Sequence, residues 1–353
     1  MNKRRTRIAK KQYLMAVAAI FLIVLIIFGV TRAFSASDTN KKSRSALAQV
    51  GTVTDTTSVT EASTEKPTEE TTVPVISYPE KTADTVPFGE EYDVKNAVLI
   101  NVDDNIIVAD KDSSVKMYPA SLTKVMTLIV AVENTADLSE GVEITHEMVA
   151  SMIDLEASRA GFEPGETPTM REVLYGMILT SGGDASLAAA EHIAGSEEAF
   201  VELMNNKAEE LGLKCTHFTN TVGLHDENHY STAEDMALIL EYALRNDVCR
   251  DILSAAEYTC EPTALREEPL KFESTVFSRM YGDEMPGVTV LGGKTGYTDE
   301  AGNCIETFAE IGGKTYIMVL CGSTSRWNTI YNTLSAYSVI CVGGQPYVPP
   351  EVY

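Results

Sequence analysis

Ser121 and Lys124 lie three residues apart in Met117-Tyr118-Pro119-Ala120-Ser121-Leu122-Thr123-Lys124-Val125-Met126-Thr127. On a helix that spacing sets both side chains on one face, within reach of each other. Pro119 suits the opening turn, where its missing N–H would have had no partner. From Leu122 to Val132 nearly every position is apolar, which predicts a helix buried almost all round. A lysine in such a place sheds its proton readily, because burial disfavours the ammonium. A neutral amine beside a hydroxyl is a base beside its nucleophile.

Spacing alone is weak, since Ser63 to Lys66 and Ser113 to Lys116 share it. A capping serine with a solvated lysine is the plain alternative. Two later motifs separate Ser121 from these. Ser181-Gly182-Gly183-Asp184-Ala185 forms a turn between two predicted helices, and Gly292-Gly293-Lys294-Thr295-Gly296-Tyr297 follows the β-prone Val288-Thr289-Val290-Leu291. Ser-x-x-Lys, a Ser-Gly turn and then Lys-Thr-Gly on a strand is the order of motifs in penicillin-recognising serine enzymes. Competing chemistries fit less well. No Gly-x-Ser-x-Gly elbow is present for a Ser-His-Asp hydrolase. His225 and His229 are four apart, but Gly223 and Asp226-Glu227-Asn228 make that stretch a loop rather than a metal-binding helix. His146-Glu147 lacks the second histidine of a zinc protease motif, and His192 and His217 fit ordinary, partly buried positions. The expectation is an enzyme with no metal and no cofactor.

The elements that must carry these residues are legible in outline. Ala97–Val102 and Asn105–Ala109 read as two strands joined through Asp103-Asp104. Glu156–Glu166 reads as a loop. Thr169-Met170-Arg171-Glu172 resembles a capping box opening a helix to Leu179, and Ser231-Thr232-Ala233-Glu234 a second, opening a helix to about Leu244. Lys314–Leu320 reads as a strand and Trp327–Ile340 as a closing helix. Gly312-Gly313 suits a two-residue hairpin turn. In that register Ile311 faces Lys314, Phe308 faces Ile317 and Cys304 faces Cys321. The last pair falls at the closer kind of antiparallel site, about 4.5 Å between Cα atoms, which a disulfide tolerates. Two buried thiols side by side are the alternative. The other cysteines are Cys215, Cys249, Cys260 and Cys341.

The chain has 353 residues and a formal net charge of −23, which argues against a nucleic-acid partner. Residues 1–12, MNKRRTRIAKKQ, hold six basic residues and no acid, leaving 22 basic against 51 acidic residues beyond them. Residues 13–30 form an uncharged apolar run long enough to span a bilayer. The basic flank puts the amino terminus in the cytoplasm and the rest outside, held by a single-pass anchor. A cleaved signal peptide and secretion is the competing expectation, because Ala33-Phe34-Ser35 offers small residues; the length of the run favours the anchor, since a signal core is usually shorter. Residues 37–85, rich in Ser, Thr, Glu, Lys and Pro, read as a disordered spacer. Residues 86–345 form one catalytic domain and 346–353 a tail.

Pro119–Lys124, Gly165-Glu166, Ser181–Ala185, His229-Tyr230-Ser231-Thr232-Ala233 and Lys294-Thr295-Gly296 together resemble the low-molecular-mass D-alanyl-D-alanine carboxypeptidases, serine peptidases of the penicillin-binding protein group. The resemblance spans about residues 92–342. It implies an α/β fold of the α+β type, a five-stranded antiparallel sheet flanked by helices as in serine β-lactamases. It implies peptidoglycan stem peptides as substrate, with loss of the terminal D-Ala through an acyl-enzyme, and β-lactam antibiotics as covalent inhibitors. Ser121 is then the nucleophile, Lys124 its base, and Ser181 the relay to the leaving amine. Lys294 and Thr295 hold the substrate carboxylate, Gly296 admits its backbone, and the N–H groups of Ser121 and Tyr297 form the oxyanion hole. Arg326 is a candidate second carboxylate ligand or a plain surface arginine. The chain departs from the family in having Gly183 where Ser-x-Asn carries its amide, and Tyr297 where histidine is common. Gly183 keeps a weak or inactive cell-wall peptide binder open as an alternative, and the shared scaffold keeps a serine β-lactamase open.

Overall fold

The computed structural model describes residues 76–280 and 285–349. The expected basic segment, anchor and most of the spacer lie outside these residues. Among the described residues no helix is long and apolar enough to cross a membrane.

Strand β1 is Glu80–Pro87, β2 Asn96–Asn101 and β3 Ile106–Lys111. β2 and β3 pair antiparallel about the expected Asp103-Asp104 turn. Every residue of β2 is buried, as befits a strand covered on both faces. Late in the chain β6, Thr289–Thr298, β7, Gly302–Ile311, and β8, Lys314–Ser323, run antiparallel, and β8 pairs with β2. The order is β1-β3-β2-β8-β7-β6, so the sheet has six strands rather than the expected five. The sixth, β1, is parallel to β3 and starts at Glu80, inside the stretch the sequence assigns to the spacer. Its composition is polar because its side chains are mostly exposed. What holds it is backbone pairing, Thr85 Oγ1 donating to the Ile107 carbonyl at 2.7 Å, and an ion pair of Lys81 with Asp110 at 2.8 Å.

The β7–β8 hairpin keeps the expected register at Ile311–Lys314 and Phe308–Ile317. It slips beyond Ile305–Leu320: Asn303 faces Ser323, so β8 carries one extra residue beside Cys321-Gly322. Cys304 and Cys321 still touch, as hydrogen-bonded thiols, and both are free, so the structure takes the side-by-side alternative and not the disulfide.

Helices cover both faces of the sheet. α1, Lys124–Glu133, lies in the larger core and is buried from Lys124 through Ala131. α2, His146–Asp154, α3, Met170–Leu179, α4, Gly183–Ala194, and α5, Glu197–Glu210, pack around it, followed by α6, Ala233–Arg245, and α7, Asp247–Ser254. A two-stranded sheet, β4 (Glu257–Cys260) with β5 (Leu270–Glu273), stands apart from the main one. On the far face α8, Arg326–Ala336, and the wider turn Tyr337–Cys341 after it bury Ile330, Leu334 and Tyr337 in a second core. α3 begins with the expected capping box, Thr169 and Glu172 exchanging side-chain to backbone bonds. α6 is capped one residue later than expected. Thr232 Oγ1 accepts from the Asp235 N–H, while Glu234 takes the Ser113 hydroxyl instead.

Candidate active site

Ser121 stands in a 3-10 turn, Ala120–Thr123, just before α1, so the helix that Pro119 was expected to open starts at Lys124. Lys124 Nζ donates to Ser121 Oγ at 3.0 Å and to the Val222 carbonyl at 2.7 Å. Ala120, at φ 48°, and Ser181, at φ 62°, hold left-handed backbone that non-glycine residues rarely adopt. Both flank the reacting groups, where such strain is commonly kept.

Burial pulls the Lys124 amine well below the usual lysine range. The Lys294 charge pulls it further, and Asp184 opposes them. Lys294 is brought down to about 7, chiefly by burial, with Glu306 pulling it up and Arg279 down. Lys294 Nζ donates to Ser181 Oγ at 2.9 Å and to the Thr295 carbonyl at 2.7 Å. Two buried lysines, each on a serine hydroxyl, therefore meet at one site. Thr295 Oγ1 donates to Thr275 Oγ1 at 2.7 Å.

Ser121, Lys124, Ser181, Thr295, Gly296, Tyr297 and Arg326 line one cleft of about 840 Å³, and Lys294 sits beneath it on Ser181. All eight residues picked from the sequence thus converge. A side chain at Gly296 would put its Cβ 2.8 Å from the Ser121 nitrogen. Only glycine lets β6 pass so close to that amide.

Three features escape sequence reasoning. Arg279 joins Arg326 in the cleft wall, but nothing in its local sequence marks it. Met152, on α2, fills the place of the missing amide: a Cβ at Gly183 would meet its sulfur at 2.3 Å and Val222 Cγ1 at 3.2 Å. Glu306 lies fully buried behind Lys294; its signal was an acid between Ile305 and Phe308 in the middle of β7, away from the exposed Glu310 near the strand end. Asp184, the next residue, does not replace the amide. Its Oδ1 accepts from the N–H of Ala160 at 2.7 Å and clamps the 158–161 loop onto α4. Glu166 is tied to Thr263 at 2.5 Å and Arg266 at 3.2 Å, away from the cleft. His229 bonds Thr123 and Thr219 and holds no metal position. No group of three or more metal-ligating side chains occurs among the described residues.

The profile of the D-alanyl-D-alanine carboxypeptidase family, peptidase family S11, matches residues 80–325. The chain belongs to that family. Among curated S11 proteins it is 39% identical over 238 residues to the D-alanyl-D-alanine carboxypeptidase DacF of Bacillus subtilis, covering 66% of this chain and 58% of that protein. It is 33% identical over 229 residues to DacA of Escherichia coli, covering 62% of this chain and 53% of the relative. The chain thus spans somewhat over half the length of these relatives. Among solved structures, the Streptomyces K15 DD-transpeptidase superposes with a TM-score of 0.64 at 26% identity, over 70% of this chain and 96% of that one. A D-alanyl-D-alanine carboxypeptidase of Mycobacterium tuberculosis gives 0.62 at 27% identity, over 72% and 93%. The α+β DD-peptidase fold of this S11 member is therefore shared at full-domain scale.

Proposed function

We propose that the protein is a serine-type D-Ala-D-Ala carboxypeptidase that trims the terminal D-Ala from peptidoglycan pentapeptide stems and is acylated by β-lactams. The observation that carries this is the 3.0 Å bond from buried Lys124 to Ser121, beside the Lys294–Ser181 pair. Lys124, kept neutral by burial and by the Lys294 charge, takes the Ser121 proton as Oγ bonds to the carbonyl carbon of the penultimate D-Ala. The Ser121 and Tyr297 N–H groups stabilise the negative charge on that oxygen. Ser181, backed by Lys294, gives its hydroxyl proton to the departing amine and takes in exchange the proton held by Lys124. The C–N bond breaks, and D-Ala leaves with its carboxylate released from Lys294, Thr295 and Arg326, with Lys124 neutral again. Water then attacks the ester, giving up a proton to Lys124, and restores the Ser121 hydroxyl.

The weak-binder alternative rested on the amide missing at Gly183. The Val222 carbonyl holds the Lys124 amine and Met152 closes the space, which supports an active site of altered lining rather than an incomplete one. Glu166 is tied to Thr263 and Arg266 while Glu156 of the same loop lines the cleft, so the lifetime of the penicillin adduct separates the β-lactamase alternative: a long-lived adduct is expected of the peptidase. Residues 13–30 are proposed to anchor the chain, with residues 86–345 outside the membrane.

Intact mass with penicillin tests the assignment. One covalent penicillin per wild-type chain and none on Ser121→Ala is expected. An unmodified wild type at saturating drug would overturn it.

A further inference from the structure

Lys294 on β6 and Glu306 on β7 are direct cross-strand partners, so both side chains leave the same sheet face. Both are fully buried. Lys294 turns its hydrogen bonds to Ser181 and Thr295, and among the described residues neither Glu306 oxygen has a hydrogen-bond partner. A buried carboxyl with no such partner is costly, and apolar residues fill most of the neighbouring positions. The expense has a counterpart in the next strand: the cross-strand partner is the lysine whose charge the reaction uses, and it is the cation that acts on Glu306.

We propose that Glu306 is a positioning residue of the active site, a buried carboxylate behind Lys294 that keeps that ammonium charged and so keeps Lys124 neutral. The inference rests on the serine-peptidase reading and adds a residue to it. The groups around the pair are few. Glu306 faces Lys294 from β6, Cys304 on β7 and Cys321 on β8; burial and Cys304 push its carboxyl well up, and Lys294 is the group that draws it back toward the carboxylate. Lys294 also feels Arg279, and Lys124 beyond it feels Asp184. Arg279 and burial both work against the Lys294 ammonium, and Glu306 is the acid that opposes them. The Cys304 contact and burial push the Cys321 thiol well up, whereas the Cys321 contact draws the Cys304 thiol below its usual range, so Cys304 is the other group beside the pair that can carry negative charge.

The sign follows. Removing the carboxylate lowers the Lys294 pKa, because an opposite charge is lost. A Lys294 that discharges sooner repels a Lys124 proton less, so Lys124 rises. The alkaline limb of acylation moves toward acid and the acid limb toward base, and the active window narrows from both sides.

The test is the acylation rate of the full chain by fluorescent penicillin, from about pH 5 to about pH 9, for wild type, Glu306→Gln and Glu306→Asp. Glu306→Gln should shift the alkaline limb by about one pH unit toward acid, roughly tenfold slower on that flank, with Glu306→Asp restoring most of it. A Glu306→Gln limb superimposable on wild type overturns this inference alone. A wild type that takes up no penicillin overturns the peptidase reading and this inference with it. Should Glu306→Gln fail to fold, infrared spectra of glutamate-labelled wild type and Glu306→Asp read the same group directly. An ionised band at pH 7 that is absent from Glu306→Asp supports the proposal, and a protonated one refutes it.

Discussion

The chemistry at Gly183 is decided by two side chains, one absent and one present. The family resemblance implies an asparagine amide there; with glycine, Met152 occupies the space a side chain would take, and the Val222 carbonyl supplies the polar contact to Lys124. From sequence alone the glycine is a deficit, and Gly183→Asn should speed turnover. With Met152 sulfur 2.3 Å from the new Cβ, the single substitution overpacks a buried site, an effect worth about 1–3 kcal/mol. The expectation therefore reverses. Gly183→Asn alone should lower the acylation rate about tenfold and lower the melting temperature. Met152→Ala with Gly183→Asn should recover at least the wild-type rate. A double-mutant cycle in acylation and in stability measures the coupling, expected to exceed about 1 kcal/mol. Additive effects would mean that Met152 yields freely. Nothing in the sequence near residue 183 points to residue 152. The pairing exists only once α2 packs on α4, so no local pattern could have announced it.

At the scale of elements, what the sequence made legible was local. The Thr169 cap, the Asp103-Asp104 turn and the Gly312-Gly313 hairpin each depend on a few adjacent residues, and each stands where expected. The three motifs of the site were readable for the same reason, since each sits on one turn or one strand. Elements fixed by partners distant in sequence were not. β1 has the composition of a spacer and becomes a strand only because β3 offers an edge. The extra residue at Cys321-Gly322 follows from strand packing, and it carries no signature in the β8 sequence. The α6 cap lies between these cases: the right residues were seen, and the register was off by one because Glu234 is drawn to Ser113 across the fold. The assignment of Thr232 as cap is checked by Thr232→Ala, expected to cost about 1 kcal/mol in chemical denaturation with the acylation rate unchanged. Glu234→Gln, which keeps an acceptor for Ser113, should cost less. The reverse ranking would restore the register expected from the sequence.

Over the whole molecule, the cleft lies where the helical layer meets β6, and on the helical side one buried histidine joins the turn that carries Ser121 to the segment at Thr219. His229 Nδ1 accepts from the Thr219 N–H at 3.1 Å, so the ring proton sits on Nε2, which donates to Thr123 Oγ1 at 2.7 Å, one residue before Lys124. This neutral tautomer satisfies both partners, whereas protonation at Nδ1 would break the Thr219 bond and place a charge among buried groups. Burial accordingly holds His229 down to about 4, against 6.5 for a free imidazole. The folded pKa is depressed, so the unfolded chain binds the proton first as pH falls. The stability attached to a neutral His229 is fully present above about 6.5 and is lost progressively down to about 4. Integrated over that window it amounts to about 3 kcal/mol. Urea denaturation at pH 7 and near pH 4 should show that loss in wild type and a smaller one in His229→Asn, whose side-chain oxygen can still accept from Thr219. Equal losses in the two proteins would place the acid sensitivity of the fold on its carboxylates instead.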